Sequence, residues 1–346
     1  LHFGKNTNQE NKMVNFPRNA LIAFAIMALL TFPPIALSAA GLDQALPQNT
    51  EVILWLRPQL ISDDAQFSNL LSQSQLVGHY LDLLDISLKQ VEYAAIFMPY
   101  DPAWMDNASH GAYDNLPAPA AMIIKGAFDP SAKYRRVKSS GWREEKHANK
   151  KLLWWSTGET YLRNATGREY LAKLGNDRLL IAGSEDSMKG VLDVVGDKMT
   201  GIESMGVFQD ISLAFFENDQ VMASAFIKVN EDLRQMIKDD IGEQQSAMIR
   251  TAIGYVDNVD ETALSIIRGS GNYLLEGYLG MDSGNNAMVV TSVLQAGGSL
   301  AGLLPRNAPG HAALENLTVT RTERIVKVQS FMAHAQLNDL LGSSVR

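Results

Sequence analysis

The stretch YLAKLGNDRLLIAGSEDSMKGVLDVV, residues 170–195, decides how the rest of the chain is read. It reads as strand, tight turn, strand and helix: two short β-forming runs flank Gly175-Asn176-Asp177, and a helix start follows. Ser184 stands at the strand-to-helix junction as an N-cap, with Glu185 and Asp186 making an acidic first turn. A degraded copy occupies residues 317–341, LTVTRTERIVKVQSFMAHAQLNDLL. Aligning Leu171 with Leu317 brings Asp177-Arg178 onto Glu323-Arg324 and Leu179-Leu180 onto Ile325-Val326. The echo predicts an internally duplicated α+β protein, and it implies no reaction. Asp177-Arg178 and Glu323-Arg324 fall between two strands, so they read as hairpin-turn residues rather than a repeated functional pair.

Working outward, each half follows the order β-α-β-β-α-β-β-α. In the first half, strands are expected over residues 51–56, 91–98 and 120–128, with helical spacing from Phe67 to Leu84. Asp129 followed by Pro130 marks a helix start, and residues 142–147 and 151–155 read as a hairpin. In the second half, residues 206–216 read as a linking helix and 221–229 as a strand, followed by an Asn230 cap. One or two helices follow, with Gly242 a break. Strands over 261–268 and 273–280 join through Gly269-Ser270-Gly271, and a helix weakened at Gly297-Gly298 runs over 286–304. The expected class is α+β in two tandem similar halves, each a mainly antiparallel sheet with helices packed on one face. The domains are residues 41–200 and 201–346, joined by GDKMTGIESMG; whether the halves share one sheet is left open.

The 346 residues carry 30 basic and 38 acidic side chains, a net charge of −8. That balance argues against a nucleic-acid binder, which needs lysines and arginines to displace counterions. Cysteine is absent, which excludes disulfides, thiol catalysis and thiolate metal sites. Residues 1–12 read as a polar upstream segment and residues 13–40 as a signal peptide or N-terminal anchor. Arg18 begins the leader, ALIAFAIMALL is its apolar core, Pro33-Pro34 breaks it, and Ser38-Ala39-Ala40 offers a cleavage site. The uncleaved alternative, residues 20–40, is just long enough to span a bilayer and would attach the chain to the membrane. Either way the expected location is exported: periplasmic or extracellular, with a membrane anchor as the uncleaved variant.

The order of LPQNTEVILWL, IIKGAFDPSAK, LAKLGNDRLLIAGSEDSMKGVLD and a late second copy resembles exported bacterial proteins of unknown function with an internally duplicated α+β domain. The resemblance implies no activity, cofactor or active-site residue.

The motifs of catalysis lack their parts. No two of His2, His79, His110, His147, His311 and His334 lie three or four apart, so no helix presents an HExxH-type metal pair. Gly183-Ser184 and Gly298-Ser299 lack the second glycine of a nucleophile elbow, and no phosphate loop is present. Asp101, Asp106, Asn107, Asp114 and Asn115 are hard oxygen donors, but their spacing is not that of an EF-hand and suits a turn-rich loop. No metal or cofactor is implied.

Two features stand outside the repeat. The loop 101–119 carries Trp104 and Tyr113, which form either a binding rim or a packing contact. The run 133–155 concentrates Lys133, Arg135, Arg136, Lys138 and Arg143 around Trp142, Trp154 and Trp155. Its functional reading is a patch for an anionic surface, and its bland reading a solvated helix and hairpin. The leading expectation is an exported, non-catalytic binding module of the bacterial cell envelope whose partner is a protein or an anionic envelope component. The alternative is a periplasmic carrier of a small molecule or lipid, with Met236, Met248 and Met288 lining an adaptable cavity. An exported hydrolase ranks behind both.

Overall fold

Near-continuous apolar runs such as VILWL and VEYAAIFM suit strands buried on both faces, because alternate side chains point to opposite sides. In the computed structural model these runs lie at the centre of one large sheet. The structure describes residues 45–64, 67, 75–99, 120–156, 168–196, 218–241, 254–299 and 315–333. The first-half strands are β1 (Val52–Leu56), β2 (Val91–Met98), β3 (Ala121–Gly126), β4 (Arg143–His147), β5 (Lys150–Ser156), β6 (Arg168–Leu174) and β7 (Arg178–Ala182). The second half supplies β8 (Val221–Lys228), β9 (Val259–Arg268), β10 (Asn272–Met281), β11 (Thr318–Thr322) and β12 (Ile325–Ala333). Helices are α1 (Pro58–Ser62), α2 (Gln75–Leu84), α3 (Pro130–Ser139), α4 (Glu185–Val195), α5 (Glu231–Ile241) and α6 (Gly284–Ser299).

The expected α+β class with antiparallel pairing is what the chain adopts. It forms one 12-stranded sheet, ordered β11-β12-β10-β9-β8-β1-β2-β3-β7-β6-β5-β4, rather than one sheet per half. The halves meet where β1 pairs antiparallel with β8, Leu54 opposite Ala225. From that seam outward, β1-β2-β3-β7-β6 on one side has the same order of connections as β8-β9-β10-β12-β11 on the other. The β4–β5 hairpin extends the first half alone. Both edge strands are polar: REEKH in β4 and TVTRT in β11 discourage further pairing.

The helices do not share one face. Leu54, Ile96, Met122 and Ile181 point to the side holding Ile61 of α1, Tyr80 and Leu84 of α2, Val137 of α3 and Leu233 of α5. Ile53, Trp55, Phe97 and Leu180 point the other way, where α4 brings Met188, Val191 and Leu192. A short connection from β7 delivers α4 to that second side, and α6 covers Met281, Val319 and Val326 on the first.

Local signals in the sequence set the boundaries. The Asp129 carboxylate accepts from the Ser131 amide at 2.8 Å, and Pro130 takes the first helical position of α3. Ser184 Oγ accepts from the Ser187 amide at 3.1 Å to start α4, and Asn230 Oδ1 accepts from the Leu233 amide at 2.9 Å to start α5. The turn between β6 and β7 uses Gly175 at φ 73°, and Glu323 takes φ 50° in the corresponding β11–β12 turn. Asp177 thus lies in the turn and Arg178 opens β7, whereas Glu323 and Arg324 both lie in the β11–β12 turn.

A polar clamp crosses between the halves. Asp64, fully buried just after α1, accepts the Tyr273 phenol at 2.8 Å and faces Arg268 Nε at 3.5 Å. Phe67 meets the Tyr273 ring edge-on at 5.3 Å. Burial, then the Asp64 carboxylate, pushes the Tyr273 phenol far above its usual range.

Candidate functional site

The basic–aromatic run is the first candidate, and its charges are largely paired. Lys133 and Arg136 both approach the Asp85 carboxylate, at 3.7 Å each, and Arg135 lies 3.9 Å from Asp129. Lys138 and Lys151 share Glu144, at 2.8 and 3.3 Å. The Lys138 hydrogen bond is the main reason Glu144 stays ionised below the usual carboxylate range. Trp142 belongs to the core, 7% exposed, whereas Trp155 is 36% exposed beside Gly141. Exposed ion pairs of this kind contribute little individually.

One subset does form a distinct surface. The Arg143 and Arg168 guanidiniums lie 5.0 and 4.5 Å from the Trp154 ring centroid. Cross-strand pairing produces this cluster: Arg143 sits opposite Trp154, which sits opposite Tyr170, two residues from Arg168. Arg168 was not among the residues singled out in the sequence. Trp104 and Tyr113, like the whole of loop 101–119, fall outside the described residues.

The second candidate is a pocket of 260 Å³ in the second half, between the sheet and α6. Its construction follows from strand register. On the face where α6 packs over β10, β11 and β12, Ala225 of β8 stands opposite Leu264 of β9, Leu264 opposite Gly277 of β10, and Gly277 opposite Val328 of β12. The adjacent row runs Ile227, Thr262 and Leu279. Pleating puts both rows on one side of the sheet. Bulky Leu264 is thus flanked by a methyl group and a bare α-carbon, and the missing volume is the pocket. Leu294 of α6 forms the opposing wall.

Among the described residues the lining is aliphatic apart from Thr262 and Tyr278, whose side chain points to the opposite face of the sheet, and it includes no charged residue. Gly277 is not required by its backbone. It lies outside the positive-φ glycines, and an added Cβ would meet Val328 Cβ at an ordinary 3.8 Å. Met288 is 51% exposed rather than pocket-lining, and Leu294 takes the place expected of it. The Met236 side chain and Met248 lie outside the described residues. The sequence signal for this site was Gly277 within an otherwise β-forming run, a position where a strand weakens or leaves room.

The same strands carry a polar network on their opposite face. Glu276, buried in β10, accepts hydrogen bonds from Tyr278 at 2.9 Å and from Gln329, and pairs with Lys327 at 2.8 Å. Burial raises the Tyr278 phenol, while hydrogen bonds to Glu276 and Tyr278 outweigh the burial that would lower Lys327. Ser224 and Ser265 share a hydrogen bond at 3.0 Å nearby. Each of these groups is satisfied by its neighbours, which is the behaviour of a structural network. Among the described residues, no three His, Asp or Glu side chains are grouped to hold a metal ion. Among the same residues, no helix is long and apolar enough to cross a membrane, and the leader lies outside them.

No protein-family model matches the chain, and no curated protein matches it. Among solved structures, the chain is similar to TP0453 in three crystal forms. Form III gives a TM-score of 0.45 at 10% identity, covering 87% of this chain and 97% of that one. Form IV gives 0.45 at 9%, covering 87% and 99%, and form I gives 0.43 at 9%, covering 88% and 96%.

Proposed function

We propose that the protein is a non-catalytic binding module of the bacterial cell envelope. It holds a small apolar ligand in the pocket between β8, β9, β10, β12 and α6. The observation that carries this reading is the 260 Å³ space floored by Ala225 and Gly277 and lined by aliphatic side chains. Such a lining rewards burial of apolar surface and, among the described residues, brings no polar side chains besides those of Thr262 and Tyr278. A pocket so equipped retains its ligand and leaves it chemically unchanged. The leader in residues 13–40 supports an envelope location. Native mass spectrometry of protein isolated from an envelope fraction without detergent tests the reading. The expected result is one apolar molecule per chain, released by organic solvent. Ligand-free protein that also fails to bind any of a panel of apolar probes would overturn it.

The Arg143–Trp154–Arg168 cluster favours a second reading, docking of an anionic envelope component. Co-sedimentation with phosphatidylglycerol vesicles, lost in Arg143→Ala/Arg168→Ala, is its expected signature. Equal sedimentation of both proteins would rule it out.

A further inference from the structure

The side of the sheet away from α6 distinguishes the two halves. Outward from the seam, β12 holds the place of β7, in the matching orders β3-β7-β6 and β10-β12-β11. On the side reached by Ile53 and Leu180, β7 is followed by α4, which packs Met188, Val191 and Leu192 there. Ala182 at the end of β7 and Ala121 opposite it are fully buried on that side. At the matching end of β12, Phe331 stands opposite Leu274 and is 51% exposed. Leu274 and Ile325, on the same side, are half-buried. Among the described residues, no helix besides α4 contributes to the apolar cluster on that side. An exposed aromatic ring beside half-buried aliphatic groups is area that a covering element gains by burying.

The sequence after β12 carries a matching pattern. Leu337, Leu340 and Leu341 recur at i, i+3 and i+4, which is the spacing of Met188, Val191 and Leu192 in α4. Residues 334–346 lie outside the described residues. We propose that the face of β10 and β12 around Phe331, Leu274 and Ile325 is the docking site of this chain's own residues 334–346. The three leucines seat the segment in the place that α4 takes in the first half. A segment joined directly to β12 meets this face at an effective concentration of about millimolar, which favours it over a free partner.

The chain has no cysteine, so Asp339→Cys carries a nitroxide label at a single site. At helical spacing that position stands away from the three leucines, and the label leaves them free to pack. Methyl NMR of the full labelled chain is expected to show Leu274 and Ile325 broadened, with Ile123 and Leu180 of the first half sharp. Adding Leu337→Ser and Leu340→Ser is expected to abolish the broadening and to shift both methyl groups. Leu340→Ser alone, expected to weaken the broadening, serves if the double variant misfolds. Leu274 and Ile325 as sharp as in a diamagnetic control would overturn the proposal. Broadening that survives the serine substitutions would overturn it too, since the leucines then do not seat the segment. Broadening seen only between copies, when spin-labelled chain is mixed with isotope-labelled chain, would assign the face to a second copy and overturn it as well.

Discussion

The two halves repeat one order of strands and fill the same face of the sheet differently. Over β2 and β3, the first half packs Tyr80, Leu81 and Leu84 of α2 against Val91, Ala94, Met122 and Ile124, leaving a cavity of only 40 Å³. Over β8, β9, β10 and β12, the second half leaves 260 Å³ beside Leu294 of α6. Topology is common to both, so it does not explain the difference. Side-chain volume does: Ala225 and Gly277 stand in the second half's rows, whereas Leu54 and Ile96 occupy the row on the first-half side of the seam. Among the described residues, one half is closely packed and the other leaves an apolar space against the sheet.

The largest effect is expected where the halves are tied together. Asp64→Ala removes the buried acceptor of Tyr273 and the carboxylate facing Arg268, and should cost about 2–3 kcal/mol in denaturant unfolding. If the halves unfold as one unit, a single transition shifts; two separated transitions would show that the clamp couples otherwise independent bodies.

A sharper contrast comes from adding the same three carbons to each half. Ala94→Leu enlarges a side chain in the nearly filled first-half core and should destabilise by about 1–3 kcal/mol. Ala225→Leu enters the second-half pocket and should leave the melting temperature within a degree or two of native, about the scale of a near-neutral change. Equal losses for both variants would mean that the pocket is not accommodating.

The caps were legible in the sequence because they are local. Asp129-Pro130, Ser184 and Asn230 announced their helices through side chains that reach backbone amides two or three residues away. The strands β2 and β8 were equally plain from their β-forming, apolar runs. What sequence could not show was the seam. The β1–β8 pairing joins segments far apart in the chain, and nothing in VILWL specifies that its second neighbour is VMASAFIK. The pocket was hidden for the same reason, since it exists only once Ala225, Leu264, Gly277 and Val328 fall into one row across four strands. The side of the sheet taken by α4 was likewise beyond a linear pattern. The basic–aromatic run was visible as composition, but the Asp85 and Glu144 partners that absorb most of its charge emerge only in three dimensions.

Smaller effects probe matched helix starts. Asp129 caps α3 after β3, and Ser283 Oγ accepts from the Asn286 amide at 3.3 Å as α6 begins after β10. Alanine at either position should cost about 1 kcal/mol, and Ser283→Ala should additionally weaken ligand binding because α6 carries the Leu294 wall. The smallest effect is expected at high pH. Burial, partly opposed by Arg178, pushes the Tyr93 phenol up to about 12 from 10.0. The folded form thus favours the neutral phenol. Its contribution is complete below pH 10 and is lost as pH rises through about 12. Tyr93→Phe should flatten the fall in stability across that window, as measured by denaturant midpoints.

The central claim is that one half encloses a ligand site and the other, with the same order of strands, does not. Methyl NMR of the labelled protein during titration with dodecanoate tests it most directly. The account predicts shifts confined to Ile227, Leu264, Leu279, Leu294 and Val328, with Leu84, Ile86 and Ile124 around the first-half cavity silent. Shifts centred on the first-half methyls, or no shift at the second-half group while the ligand is bound, would contradict it.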